Sequence, residues 1–169
     1  MIHPKTGYTA GSWYQHSGAA SNFLCLPKSP EWGFYQDTFE NQAFIFGTEY
    51  ETNAYKINKE TLNSKLHDQD VPCAVCQSKL RSSKIMIPAK KSCMDGWHKE
   101  YRGYLMAGYH SYSNGATEYI CVDANPDKVH GGGSDQNGRI LYPVEARCGS
   151  LKCPPYVNNR ELTCVVCSR

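Results

Sequence analysis

Charge, long apolar runs and helical periodicity are all scarce in this sequence. Charged residues make up only 20% of the chain and the formal net charge is +2. Neither a nucleic-acid-binding field nor an acidic tail is encoded, so nucleic acid is not an expected partner. No apolar run approaches the roughly 20 residues of a membrane-spanning helix, so no membrane span is expected. The N-terminal MIHPKTGYTAG has no apolar signal-peptide stretch, and Met1 is read as an expression start or a mature-chain start. Asn-x-Ser/Thr is absent, so glycosylation says nothing about the compartment. The spacings of a nucleophile elbow (G-x-S-x-G), a zinc protease (H-E-x-x-H) and a phosphate-binding loop are absent too. Catalysis is therefore not expected.

Cysteine and aromatic residues are plentiful. Nine cysteines in 169 residues exceed what a cytosolic chain of this size ordinarily carries. Such density points to an extracellular chain in which disulfides supplement a modest core. Twelve Tyr and three Trp favour a recognition surface over a purely structural one.

The chain also repeats itself. GYTAGSWYQHSGAASNFLCLPKSPE at 7–31 aligns without a gap on GYLMAGYHSYSNGATEYICVDANPD at 103–127, an offset of 96. Gly7 falls on Gly103, Tyr8 on Tyr104, Cys25 on Cys121 and Pro30 on Pro126. FIFGTE at 44–49 keeps the same offset over ILYPVE at 140–145. A shift of five residues then brings DVPCAVC at 70–76 over ELTCVVC at 161–167. These matches divide the chain into unit one (7–76), a basic connector (77–92) and unit two (93–167).

Short apolar or aromatic stretches bounded by Gly, Pro, Asn or Ser predict strands: SNFLCL, AFIFGTEYE, SKIMIP, ATEYICV and RILYPVEAR. Only KINKETLNSKLHD at 56–68 could hold a helix. The expected fold is mainly β, with two pseudo-symmetric tandem β units packed as one disulfide-stapled domain.

The cysteine spacing favours disulfides over zinc. The pairs Cys73/Cys76 and Cys164/Cys167 have zinc-ligand spacing, but the repeat explains why the pattern occurs twice. Residues three apart on a strand face opposite sides, so each cysteine of a pair needs its own partner. Cys93 and Cys121 are natural partners for Cys164 and Cys167, and Cys148 can close a short loop with Cys153. Cys25 then takes Cys73 or Cys76, and one thiol of unit one is left over. No metal and no cofactor is expected.

Three polar segments carry groups that do chemistry in other proteins. WHKEY holds His98 and Glu100 but no second His one helical turn away. LHDQD places His67, Asp68 and Asp70 together, yet unit two has RELT there, so a solvated turn is expected. DANPD at 123–127 begins like an EF-hand, but Lys128 stands where Gly is required, and Ser134 where the bidentate Glu belongs. Turn chemistry is the better reading there, with a calcium site of another type near 123–137 left open. The segments WYQHS and YHSYS occupy equivalent places in the repeat. Sugars are held by aromatic platforms with a few planar polar groups. Trp13, Tyr14 and His16 in unit one, and Tyr109, His110 and Tyr112 in unit two, are therefore the candidate sugar-binding residues.

Several segments, VEARCGSLKCPPY and ELTCVVC above all, carry a family likeness that extends over nearly the whole chain. The chain resembles the cysteine-rich non-collagenous domain of the short-chain spongin-type collagens, found in sponges and other marine invertebrates. The resemblance implies a secreted, disulfide-rich module. Two departures stand out: there is no Gly-X-Y tract, and the cysteine segment that usually precedes the first unit is not seen. A stand-alone domain can serve another purpose than matrix building, and sponges contain lectins of this size. The expected function is accordingly a lectin for N-acetylhexosamine glycans with one shallow site per repeat, and a homo-oligomer would add avidity. The alternative is an extracellular-matrix or spongin-type interaction module without a soluble ligand.

Overall fold

The computed structural model describes residues 5–38, 43–52, 66–111 and 113–169. The described residues form an all-β molecule: β1 (Lys5–Gly11), β2 (Leu24–Pro27), β3 (Phe46–Tyr50), β4 (Pro72–Val75), β5 (Lys84–Pro88), β6 (His98–Ala107), β7 (Ile120–Asp123), β8 (Arg139–Pro143) and β9 (Thr163–Ser168). The stretch 56–68, which the sequence suits to a helix, lies outside the described residues except for its last three. Of those, Leu66 is buried in the core.

All nine strands join one curled sheet, in the order β2-β1-β3-β8-β6-β9-β5, with β4 added on β1 and β7 on β6. β1 and β6 are the two hubs. β1 pairs antiparallel with β2, β3 and β4. β6 pairs antiparallel with β7, β8 and β9. The connector supplies β5, which runs antiparallel to β9.

The ladder registers of the two halves coincide. Gly7↔Pro27 and Ala10↔Leu24 correspond to Gly103↔Asp123 and Met106↔Ile120. Ala10↔Gly47 corresponds to Met106↔Pro143, and Gly7↔Cys73 to Gly103↔Cys164. Backbone bonds outside the ladders agree as well. Thr9 N donates to Val71 O, and Leu105 N to Leu162 O; Asp68 N donates to Tyr50 O, and Asn159 N to Ala146 O. Asp68 and Asn159 even share a left-handed backbone, with φ of 57° and 61°. Asp and Asn tolerate that conformation better than most side chains do.

The first matched residue of the repeat has a steric reason. A Cβ on Gly7 would run into the carbonyl oxygen of Leu26, and one on Gly103 into that of Val122. Only glycine lets β2 and β7 approach their hub strands so closely.

The halves meet along a parallel pair, β3 with β8, in the register Thr48↔Arg139 to Tyr50↔Leu141. The core draws on both: Tyr50, Leu66 and Val71 from one half, Met106, Val122 and Leu141 from the other, with Phe23, Tyr104 and Ile120 packed against them. Four disulfides staple this small core: Cys25–Cys73, Cys93–Cys167, Cys121–Cys164 and Cys148–Cys153. Cys76, grouped at first with the disulfide cysteines, is the leftover thiol, and it is exposed. Its counterpart by the repeat is Cys167, whose partner Cys93 lies at the very start of unit two, ahead of the stretch from Gly103 that aligns with unit one.

Candidate functional site

The loop after β1 begins with Ser12 and folds back immediately, with His16 N donating to Trp13 O and Ala19 N to His16 O. This brings its aromatic groups together. Trp13 is half-buried, and its indole N–H donates to the Asn137 carbonyl at 2.7 Å. Its ring meets Tyr14 and His16 edge-on, at centroid distances of 5.6 and 5.1 Å, and tilts over Phe46 at 6.1 Å. His16 also approaches Phe46 at 5.9 Å and Phe44 at 6.5 Å.

In the other half, the loop after β6 carries Tyr109 and His110, 4.6 Å apart between ring centres. Tyr109 is 43% exposed and lies 5.3 Å from Tyr142. Tyr112 falls outside the described residues. Trp13 and Tyr109 are equivalent by the 96-residue offset, and so are Phe46 and Tyr142. The same aromatic pair therefore recurs. Sequence reasoning passed over Phe46 and Tyr142, although the alignment of FIFGTE on ILYPVE places one over the other.

The two loops lie against each other. Gly115 N donates to Tyr14 O, and Glu118 N to Ser21 O. A Cβ on Gly115 would run into the carbonyl of His16. The Glu118 carboxylate accepts a bond from Phe23 N at 2.6 Å. Beneath them sits Arg139, with no exposed surface. One guanidinium nitrogen donates to Ser12 Oγ at 2.6 Å and to the Ser12 carbonyl at 3.3 Å, and the other to the Ser21 carbonyl at 2.7 Å. The guanidinium also lies 5.0 Å from the centre of the Phe23 ring. Burial lowers its pKa, and the nearby Glu118 acts in the opposite sense. Arg139 thus ties both ends of the loop that carries Trp13, Tyr14 and His16. In the repeat its counterpart is Ala43, so this tie is made once.

Two clefts open away from these loops. One, of about 620 Å³, is lined by Tyr104, Ala146, Leu162 and Thr163 together with Lys90, Lys91 and Arg160. The other, of about 830 Å³, is lined by Tyr8, Tyr50, Val71 and Pro72 together with Asp123, Asp127 and Cys76. The first four residues of each set are equivalent by the repeat. The Tyr50 hydroxyl donates to the Asp127 carbonyl at 3.0 Å. Burial first, then the Asp127 and Asp123 carboxylates, hold its pKa well above the usual phenol range.

The polar segments have local partners. His67 stands between two carboxylates, with Nδ1 3.5 Å from Glu51 and Nε2 3.3 Å from Asp68. The three groups are close enough to share a cation. An imidazole facing a carboxylate at each nitrogen accounts for the cluster without one. Burial raises the pKa of Glu51, and His67 opposes that rise. Asp70 turns toward Gly132 and also has its pKa raised by burial. In DANPD, Asp123 Oδ1 accepts from Asn125 N at 2.8 Å, an Asx turn. In the following loop, the Glu49 carboxylate takes Gln136 N at 2.8 Å and Asn137 N at 3.1 Å. His98 and Glu100 lie on β6, where Glu100 bonds Ser168 and Arg81, and both bonds lower its pKa.

No protein-family model, curated protein or solved structure matches the chain.

Proposed function

We propose that the protein is a secreted lectin built from two tandem copies of one β unit, which binds uncharged N-acetylhexosamine glycans. The observation that carries the reading is the recurring aromatic pair, Trp13 with Phe46 and Tyr109 with Tyr142. Such pairs offer apolar faces to sugar C–H groups, and the neighbouring His16 and His110 supply polar groups that orient a ring. The near-neutral charge suits an uncharged ligand. Four disulfides suit an oxidising compartment. The N-acetyl preference rests on the resemblance to sponge proteins.

A glycan array with the purified protein tests this, together with haemagglutination inhibited by N-acetylglucosamine, N-acetylgalactosamine or galactose. Binding of terminal or chitin-type N-acetylhexosamines, with inhibition by one of the N-acetyl sugars, is expected. No agglutination combined with an empty array would overturn the lectin reading. The alternative, a spongin-type matrix interaction module, would then stand. One observation favours it: an exposed free thiol, Cys76, at the end of β4.

A further inference from the structure

We propose that the outer edge of β4, with the Cys76 thiol, accepts a cysteine-bearing β-strand from another polypeptide. The proposal does not depend on sugar binding.

Unit two shows the occupied form of this edge. There β9 lies between β6 and β5. β5 pairs antiparallel to it from Lys84↔Ser168 to Pro88↔Cys164. The chain then turns at Ala89, whose φ is 58°, and Cys93 returns to bond Cys167. In unit one, β4 holds the place of β9: Cys73 pairs with Gly7 as Cys164 pairs with Gly103. Cys73 bonds Cys25 as Cys164 bonds Cys121. Among the described residues, however, β4 pairs with β1 alone. The other eight cysteines of the chain are all paired, so none of them is free to bond Cys76.

Burial records the difference. Val165 and Cys167 have no exposed surface, whereas their counterparts Ala74 and Cys76 are exposed. Val75 is 60% exposed, whereas Val166 is half-buried. An uncovered strand edge presents N–H and C=O groups ready for strand addition, and apolar side chains beside it add affinity.

β5 defines the occupant. It is an extended apolar segment with a cysteine eight positions beyond the residue that faces the acceptor cysteine (93 − 85 = 8). The bond forms by exchange with a partner that arrives as a disulfide. The Cys76 thiolate attacks the sulfur of the incoming strand, and a new Sγ–Sγ bond forms as the old S–S bond breaks. The displaced thiolate takes up the proton that Cys76 released, so no further oxidant is needed.

The probe is a synthetic peptide of residues 83–93, carrying glutathione in disulfide linkage on its cysteine, added to the intact protein. One peptide per chain should couple to Cys76, at least tenfold faster than a scrambled peptide with the same terminal cysteine. Amide exchange over 72–76 should slow in the adduct. In a second arm the exposed thiol is removed by Cys76→Ser; excess 83–93 peptide should still slow exchange over 72–76, and the scrambled peptide should not. Equal coupling rates with unchanged amide exchange would reduce Cys76 to a merely exposed thiol and overturn the proposal. Transfer of glutathione in place of the peptide, or conversion to a Cys76–Cys76 dimer in preference to the adduct, would overturn it as well.

Discussion

Tyr50 and Arg139 show how single buried polar groups organise this molecule. Each is the one member of its repeat pair with that chemistry, because Ala146 and Ala43 stand at the equivalent positions. Tyr50 is 2% exposed, and its hydroxyl is committed to the Asp127 carbonyl. Its pKa in the folded state lies above the unfolded value, so the folded chain keeps a proton that the unfolded chain gives up near pH 10. The stability it contributes is therefore complete below about pH 10 and falls as pH rises beyond it. Tyr101, raised mainly by burial, acts in the same sense. Denaturant titrations at pH 8 and pH 11, with Cys76 alkylated to prevent disulfide exchange, should show a clear alkaline loss of stability. Tyr50→Phe should shrink that loss while costing about 1 kcal/mol at pH 8, where one hydrogen bond disappears. An unchanged alkaline loss in Tyr50→Phe would show that Tyr50 is not the group responsible.

At the scale of elements, the shortest strands are each tied by a crosslink. β2, β4 and β7 have four residues each, and the disulfides fasten all three. Cys25–Cys73 and Cys121–Cys164 close spans of 48 and 43 residues. Loop-closure entropy makes each worth about 4 kcal/mol, against about 2 kcal/mol for a span as short as that of Cys148–Cys153. Replacing Cys121 and Cys164 by Ser should thus cost about twice as much stability as replacing Cys148 and Cys153. Denaturant midpoints of the two double variants decide this. A larger loss in the Cys148/Cys153 variant would mean that strain or denatured-state structure outweighs chain entropy.

The whole molecule places its two aromatic loops side by side through the Gly115–Tyr14 and Glu118–Ser21 backbone bonds. If each loop takes one sugar, a single chain is bivalent, and avidity comes from spacing rather than from tighter contacts. Tyr109→Ala, at a residue 43% exposed, should then abolish or strongly weaken agglutination. Binding of free monosaccharide, measured by calorimetry, should fall only to about half the sites, with no loss of folding by circular dichroism. Loss of all monosaccharide binding in this variant would point to one shared site across the two loops.

Much of this was legible in the residues because strands, turns and disulfides are governed by local rules. Alternation and punctuation located β2, β3, β5, β7 and β8 to within a few residues. Cysteine spacing and the repeat singled out Cys148–Cys153 and a leftover thiol in unit one, but left open which of Cys164 and Cys167 bonds Cys93 and whether Cys25 takes Cys73 or Cys76. β1 and β6 were not singled out, since a hub strand such as KTGYTAG has weak strand preference and owes its place to neighbours on both edges. Phe46 and Tyr142, the clefts around Tyr8 and Tyr104, and the reach of Arg139 to Ser12 and Ser21 all join residues distant in sequence. The sequence by itself determined the β class, the richness in crosslinks and the repetition of its residues, because each depends on composition and spacing along the chain. Only the tertiary structure decided which edge stays open and which loops touch, because those depend on how the two hub strands are brought together by β3 and β8.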